Sequence, residues 1–307
     1  MRKLSACVVL VLAASACAPA LSGPAAPIAR EQVGAGLGLD VAVMRRTVEE
    51  FVRGYAQSSD DGGRALARTV VGPKLASWVH WLGVQNLQFD GTIVGVPTVS
   101  RLDFLAETHV GQTTGAQVSL SGAVSFTFDP ANGQPFERTR VLDGPITLVK
   151  LGAADWGVLD LTRDGVPMTD GIQLFKKEER GAGGVSVRLD SLFMFDPNWQ
   201  FNVVVTNRTD AAVPLEPSGV ALLHKEAGQL ERIDGALTPS LGVIHPHASV
   251  EGILAYPIQD SAEGRVLTLA YRWGRDVLPF EFPLAGLVKV VPPPAPTTPG
   301  PVVASPS

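Results

Sequence analysis

The hydrophobic pattern of the chain changes period once and does not change back. Val41, Met44, Val48, Phe51, Val52 and Tyr55 recur at the spacing of one helix face. Val118, Leu120, Gly122, Val124, Phe126 and Phe128 instead alternate with polar neighbours, as on a strand with one wet face. Beyond residue 185 the short apolar runs between turn formers carry no helix signal. A chain ordered in this way packs a few helices against a sheet and then continues as sheet alone.

Asp40 is placed to cap the first helix by accepting a bond from a free backbone N–H. "SSDDGG", residues 58–63, ends that helix with turn formers, and two short helices are expected near 64–70 and 73–82, parted by Gly72-Pro73. Leu102, Phe104 and Ala106 begin the alternating pattern, "QVSLSGAVSFTF" continues it, and "DPANGQP" supplies a hairpin turn. Further strands are expected near Arg138–Leu151 and Trp156–Leu161, joined by "GAAD". Residues 39–175 read as one domain, and the helices followed by antiparallel strands over about 40–165, with the strand "ADWGVLDL" at their end, resemble the cystatin-like cone of nuclear-transport-factor-2-like domains and of actinobacterial Mce-associated proteins. The resemblance implies an α+β cone in which the sheet curls over the long helix.

"KKEERGAGG", residues 176–184, joins a charge run to glycines and reads as a solvated linker between two domains. Beyond it, "VSVRLDSLFMF", "WQFNVVVTN", the hairpin "GVALLHKEAGQLERI", "SVEGILAYPI", "VLTLAYRW" and "VLPFEFPL" form a series of short strands over 185–286, the pattern of an all-β sandwich. The strand ending in "VTNRTD", the proline-rich turn before "EGILAYPI" and the final "FEF" resemble the immunoglobulin-like domains of exported bacterial lipoproteins, including the MPT63-type domain. The Cys-Trp-Cys signature of antibody domains is absent from the sequence. Residues 287–307, rich in proline and threonine, read as an extended, disordered tail.

Both cysteines, Cys7 and Cys17, fall at the start of the chain. Arg2 and Lys3 precede an uncharged stretch from Leu4 to Ala16, the layout of an export signal and too short for the roughly twenty apolar residues of a membrane span. Ala14-Ser15-Ala16-Cys17 resembles the bacterial lipobox, with alanine where leucine is commonest. That resemblance implies cleavage after Ala16, a diacylglyceryl group on the Cys17 thiol and an amine open to acylation, for instance by palmitate. Ordinary cleavage after Ala14-Ser15-Ala16 or Ala16-Cys17-Ala18, or an uncleaved anchor, is the alternative. Under the lipobox reading Cys7 leaves with the signal, residues 17–38 form a lipidated flexible tether, and the folded part does without a disulfide. The protein is then exported and held on the cell membrane or outer envelope, facing outward or into the periplasm.

A net charge of −5 leaves no basic stripe for nucleic acid. The sequence holds no Gly-x-Ser-x-Gly and no Walker loop, and "GAGLGLD" follows no strand. Asp60, Asp61 and Asp129 sit in turn contexts, "DPANG" lacks the other calcium ligands, and Asn207-Arg208-Thr209 carries no weight as a glycosylation sequon. His245 and His247 flank a proline without the three or four ligands a zinc site needs. No metal and no cofactor is expected.

One catalytic arrangement stays open. Cone-shaped domains sometimes line a pocket with Tyr, His and Asp for isomerisation or dehydration, and Tyr55, His80, Asp103 and His109 are the titratable groups available for it. Trp81, with Trp78 and Phe89, would flank the mouth of such a pocket or hold a hydrophobic ligand; core packing is the competing account. The leading expectation is a lipid-anchored, non-catalytic binding or scaffold module for an envelope protein or hydrophobic ligand. The alternatives are an exported isomerase- or dehydratase-like enzyme and a lipid carrier or import accessory.

Overall fold

The computed structural model describes residues 41–59, 63–152, 155–163, 166–194, 198–226, 229–258 and 262–288. The signal, Ala16, Cys17, the tether, the Asp40 cap, Asp60, Asp61 and the tail from 289 lie outside the described residues. Within them the fold is mostly antiparallel β-sheet with few helices.

Helix α1 (Val41–Ala56) buries Met44, Val48, Phe51, Val52 and Tyr55, the stripe expected from their spacing. A short α2 (Arg64–Ala67) and a longer α3 (Pro73–Leu87) follow, with Pro73 in the first turn, where its missing N–H costs nothing. α3 runs past the expected end at 82 because Val84 extends the buried face of Trp78 and Trp81 by one turn.

Strands β1 (Gly91–Val110), β2 (Thr113–Pro130), β3 (Phe136–Val141), β4 (Gly144–Lys150), β5 (Trp156–Arg163) and β6 (Val166–Pro167) build the first sheet, in the order β1-β2-β4-β5-β6 with β3 also paired to β2. The stretch expected as one strand over 138–151 is two, split at Leu142-Asp143. β1 starts well before Leu102, through a stretch rich in β-branched residues that Gly95 and Pro97 interrupt. Its edge position explains the tolerance. The Ser59 hydroxyl donates to the Ile93 carbonyl at 3.0 Å, so residue 93 points its backbone groups away from β2. Pro97, in step with residue 93 at the sheet edge, turns the side without an N–H toward the open flank. The segment between α2 and α3 joins the sheet as well: Val71 N–H donates to the Val158 carbonyl and Val158 N–H to that of Thr69, both at 2.8 Å.

Gly95 sits beneath the end of α1, where a Cβ would overlap the Ala56 carbonyl. Gly95→Ala is therefore expected to cost about 3 kcal/mol in a urea titration, since backbone rather than a flexible side chain must move. Gly181→Ala, where the nearest atom lies at 3.8 Å, is expected to change stability by less than about 1 kcal/mol.

The second half contains β7 (Ile172–Ala182), β8 (Val185–Phe193), β9 (Trp199–Asn207), β10 (Val213–Pro214), β11 (Ala221–Glu226), β12 (Gln229–Asp234), β13 (Ala236–Leu237), β14 (Val243–Ile244), β15 (Ser249–Tyr256), β16 (Arg265–Trp273) and β17 (Asp276–Pro283). Two sheets, β13-β15-β9-β8-β7 and β12-β11-β16-β17, share a core. Trp199, Phe201, Val203 and Val205 enter it from one sheet, and Leu267, Leu269, Tyr271, Phe280 and Phe282 from the other.

Residues 176–184 are not a linker. They belong to β7 and to a tight hairpin in which Gly183 and Gly184 take φ of 56° and 81°, the left-handed pair that a two-residue turn requires. The charge run that suggested a solvated connection is that of an edge strand, where charged side chains discourage pairing with another chain. Residues 172–175, expected in the first domain, lie in this strand of the second half's sheet. At the other end the expected tail starts too early, because Val288 is buried on the second core and its N–H donates to the Leu284 carbonyl.

Candidate functional site

The five residues expected to line one pocket occupy separate surroundings. Tyr55 is buried in the first core, its ring stacked on Trp78 at 5.6 Å and edge-on to Phe126 at 5.5 Å. Asp103, on β1, pairs with neighbouring Arg101 at 2.5 Å, and His109 is exposed near the end of the same strand. Proton transfer between such groups needs about 3 Å, or one bridging water, in a shared cavity. A cleft between α1 and the sheet, lined by Val41, Met44, Arg45, Leu102, Phe104 and Val118, holds about 10 Å³. That is room for about one water molecule and none for an acyl chain.

His80 and Trp81 face the other way, onto the second half. α3 lies across the outer face of β7, β8, β9 and β15, opposite the face that enters the second core. Trp81 packs on Phe193 with ring centroids 5.0 Å apart, and Phe193 and Ile253 join the first core from the far side of this contact. Trp78 is a core residue, and Phe89 packs edge-on to Phe128 at 5.5 Å. The aromatics expected at a pocket mouth are thus packing residues.

Around that contact stands a polar cluster. The side chain of His80, 60% exposed, places Nε2 2.6 Å from Glu251 Oε1. Asn202 Nδ2 donates to the same oxygen at 2.7 Å, and Gln85 Nε2 donates to Gln200 Oε1 at 2.9 Å. The hydrogen bond to Glu251 holds the His80 imidazole above its ordinary value of 6.5 against the opposing cost of burial, and the charge of Asp190 acts in the same sense. Burial works to raise the Glu251 carboxyl, but the bonds from His80 and Asn202 and the charges of His80 and Arg188 outweigh it and leave the group below its ordinary 4.5.

Glu251, Gln200 and Asn202 were not singled out in the sequence. For the two amides the signal was present in "WQFNVVVTN", where Gln200 and Asn202 alternate with core residues at positions that would carry charge on a freely solvated strand; Glu251 gave none.

The two histidines of the 245–247 loop stand apart from this cluster. His247, at φ 56°, sets Nε2 2.9 Å from Asp210 Oδ1. The fully buried Asn207 amide donates to the carbonyls of Ala211, Ile244 and His245, while its oxygen accepts from the Thr209 N–H and hydroxyl. A side chain so enclosed cannot carry a glycan. Asn207→Ala is expected to cost about 3 kcal/mol, read as a shifted urea midpoint, because it strands buried carbonyls. Among the described residues no group of three or more His, Cys, Asp or Glu could hold a metal ion, and no helix is long and apolar enough to cross a membrane.

No family model and no curated protein matches the chain.

Proposed function

We propose that the chain is a lipid-anchored cell-envelope protein that works as a non-catalytic binding or scaffold module for another envelope protein. In this reading Ala16 and Cys17 are the cleavage and attachment points, the first half is a cystatin-like cone and the second an immunoglobulin-like sandwich. The observation that carries it is the dispersal of Tyr55, His80, Asp103 and His109, with His80 engaged against Glu251 across the contact between the halves. An isomerase-like reaction would require at least two of these groups in one concavity. Lipid carriage would require an apolar cavity far larger than the cleft beside α1.

A protein partner has surface to use. Val94, Val96 and Val141 are 54%, 58% and 66% exposed, on a face shared with Thr98, Ala123, Ser125, Thr127 and Thr139 and bounded at one end by Glu137 and Asp129. Apolar surface of this kind on a sheet favours protein contact over solvent.

In-cell cross-linking followed by mass spectrometry tests the reading. One reproducible envelope protein is the expected result, with its yield reduced at least about tenfold by Val96→Arg, as a charge forced into an apolar interface would do. Cross-links confined to lipid, or turnover of a small carbonyl compound by the purified chain, would overturn it.

A further inference from the structure

We propose that α3 is a pH-sensitive latch: the His80–Glu251 pair helps to close the first half onto the outer face of β7, β8, β9 and β15, and loss of the His80 proton loosens that closure.

Two independent features of the contact lead there. The first is the placement of charge. α3 carries one other charged residue, Lys74, which donates to the Thr169 carbonyl at 2.7 Å. The charged groups of the sheet on this face are Glu251 on β15, Asp190 and Arg188 on β8, and Glu179 on β7, which stands across from Arg188 and acts on it. Arg188 is itself bonded to Asp190 at 2.5 Å, so Glu251 takes its hydrogen bonds from His80 and Asn202. His80 is therefore the titratable cation that ties α3 to this sheet.

The second feature is what lies beneath the helix. Ser191 Oγ, Gln200 Nε2 and Asn202 Oδ1 have no hydrogen-bond partner among the described residues, although each residue is only 1% exposed. Ser191 and Asn202 are direct cross-strand partners, and Gln200 lies two residues along β9 on the same face. Polar atoms left unpaired by burial penalise the closed state and are satisfied by water once the helix lifts. These atoms offset part of what the apolar contact of Trp81 with Phe193 contributes, so the His80–Glu251 pair sets how often the helix opens, not whether it is closed.

The direction with pH follows from the two partners. Closing raises the affinity of His80 for its proton, so this contribution is complete below 6.5 and fades as pH rises through the raised value. Closing also stabilises ionised Glu251, so that contribution is complete above 4.5 and fades as pH falls through the lowered value. The latch is tightest between them and loosens at alkaline pH.

Amide hydrogen exchange on the full chain at about pH 5.5 and 8.5, corrected for the intrinsic pH dependence of exchange, reads the opening directly. Protection over 73–87 is expected to fall about fivefold at the higher pH, the ratio a hydrogen-bonded, half-exposed ion pair supports, while 144–150 stays unchanged. Glu251→Gln is expected to abolish the difference, and His80→Lys to retain protection at the higher pH because the cation persists. A wild-type protection that is the same at both pH values, a loss shared equally by 144–150, or a full pH response surviving in Glu251→Gln would overturn the proposal. The readout is independent of membrane anchoring and of any partner, so its failure and that of the proposed function are distinguishable.

Discussion

Trp81→Ala is expected to split the thermal unfolding of the chain into two transitions. Trp81 is 5% exposed and packs against Phe193, so its indole belongs to the core of the first half while its contact surface lies on the sheet of the second. Truncating a buried Trp costs about 3 to 5 kcal/mol through lost burial and the cavity left behind. Here the loss falls on the contact that couples the halves, whereas the second core, built on Trp199, Phe201, Tyr271 and Phe280, is untouched. Calorimetry of wild type is expected to show one transition and of the variant two, the upper one close to the original. A single transition shifted only slightly would mean that Phe193 and Ile253 hold the halves together without the indole.

Local order was legible in this sequence wherever one residue's neighbours decide its state. α1 and β2 fell where their periods placed them, because each buries one continuous face, and β9 reads as a short apolar run between turn formers although it is buried on both faces. β1 was hidden in its first half because Gly95 and Pro97 read as breakers, and only an edge position beneath the end of α1 makes them compatible with a strand. The charge run of β7 misled for a related reason: solvation of an edge strand and solvation of a linker leave the same composition.

The candidate site failed differently. From the sequence His80 and Trp81 line or flank a pocket, but their partners lie more than a hundred residues away on β8 and β15, and no local pattern pairs a helix with the outer face of a distant sheet. Asn207 was rightly given no weight as a glycosylation sequon, yet its bonds to the 244–245 carbonyls were equally invisible in one dimension.

The second large effect concerns the anchor. Cys17→Ser removes the thiol that the lipobox-like segment Ala14-Ser15-Ala16-Cys17 offers for a diacylglyceryl group. Nothing in the described residues supplies a membrane-spanning helix in its place. Each buried methylene of an acyl chain contributes about 0.8 kcal/mol to membrane affinity, and a second chain makes attachment stable, so the variant is expected to lose essentially all of its membrane fraction. Both halves should remain folded, since their cores use no cysteine.

Intact-mass measurement of the wild-type and Cys17→Ser proteins, recovered separately from membrane and soluble fractions, tests the account most directly. A wild type that begins at Cys17, carries a lipid adduct and sediments with membranes, beside a variant that lacks the adduct and appears in the soluble fraction, is the expected result. A Cys17→Ser protein that stays with the membrane, with a mass differing from wild type only by the substituted side chain, would contradict it.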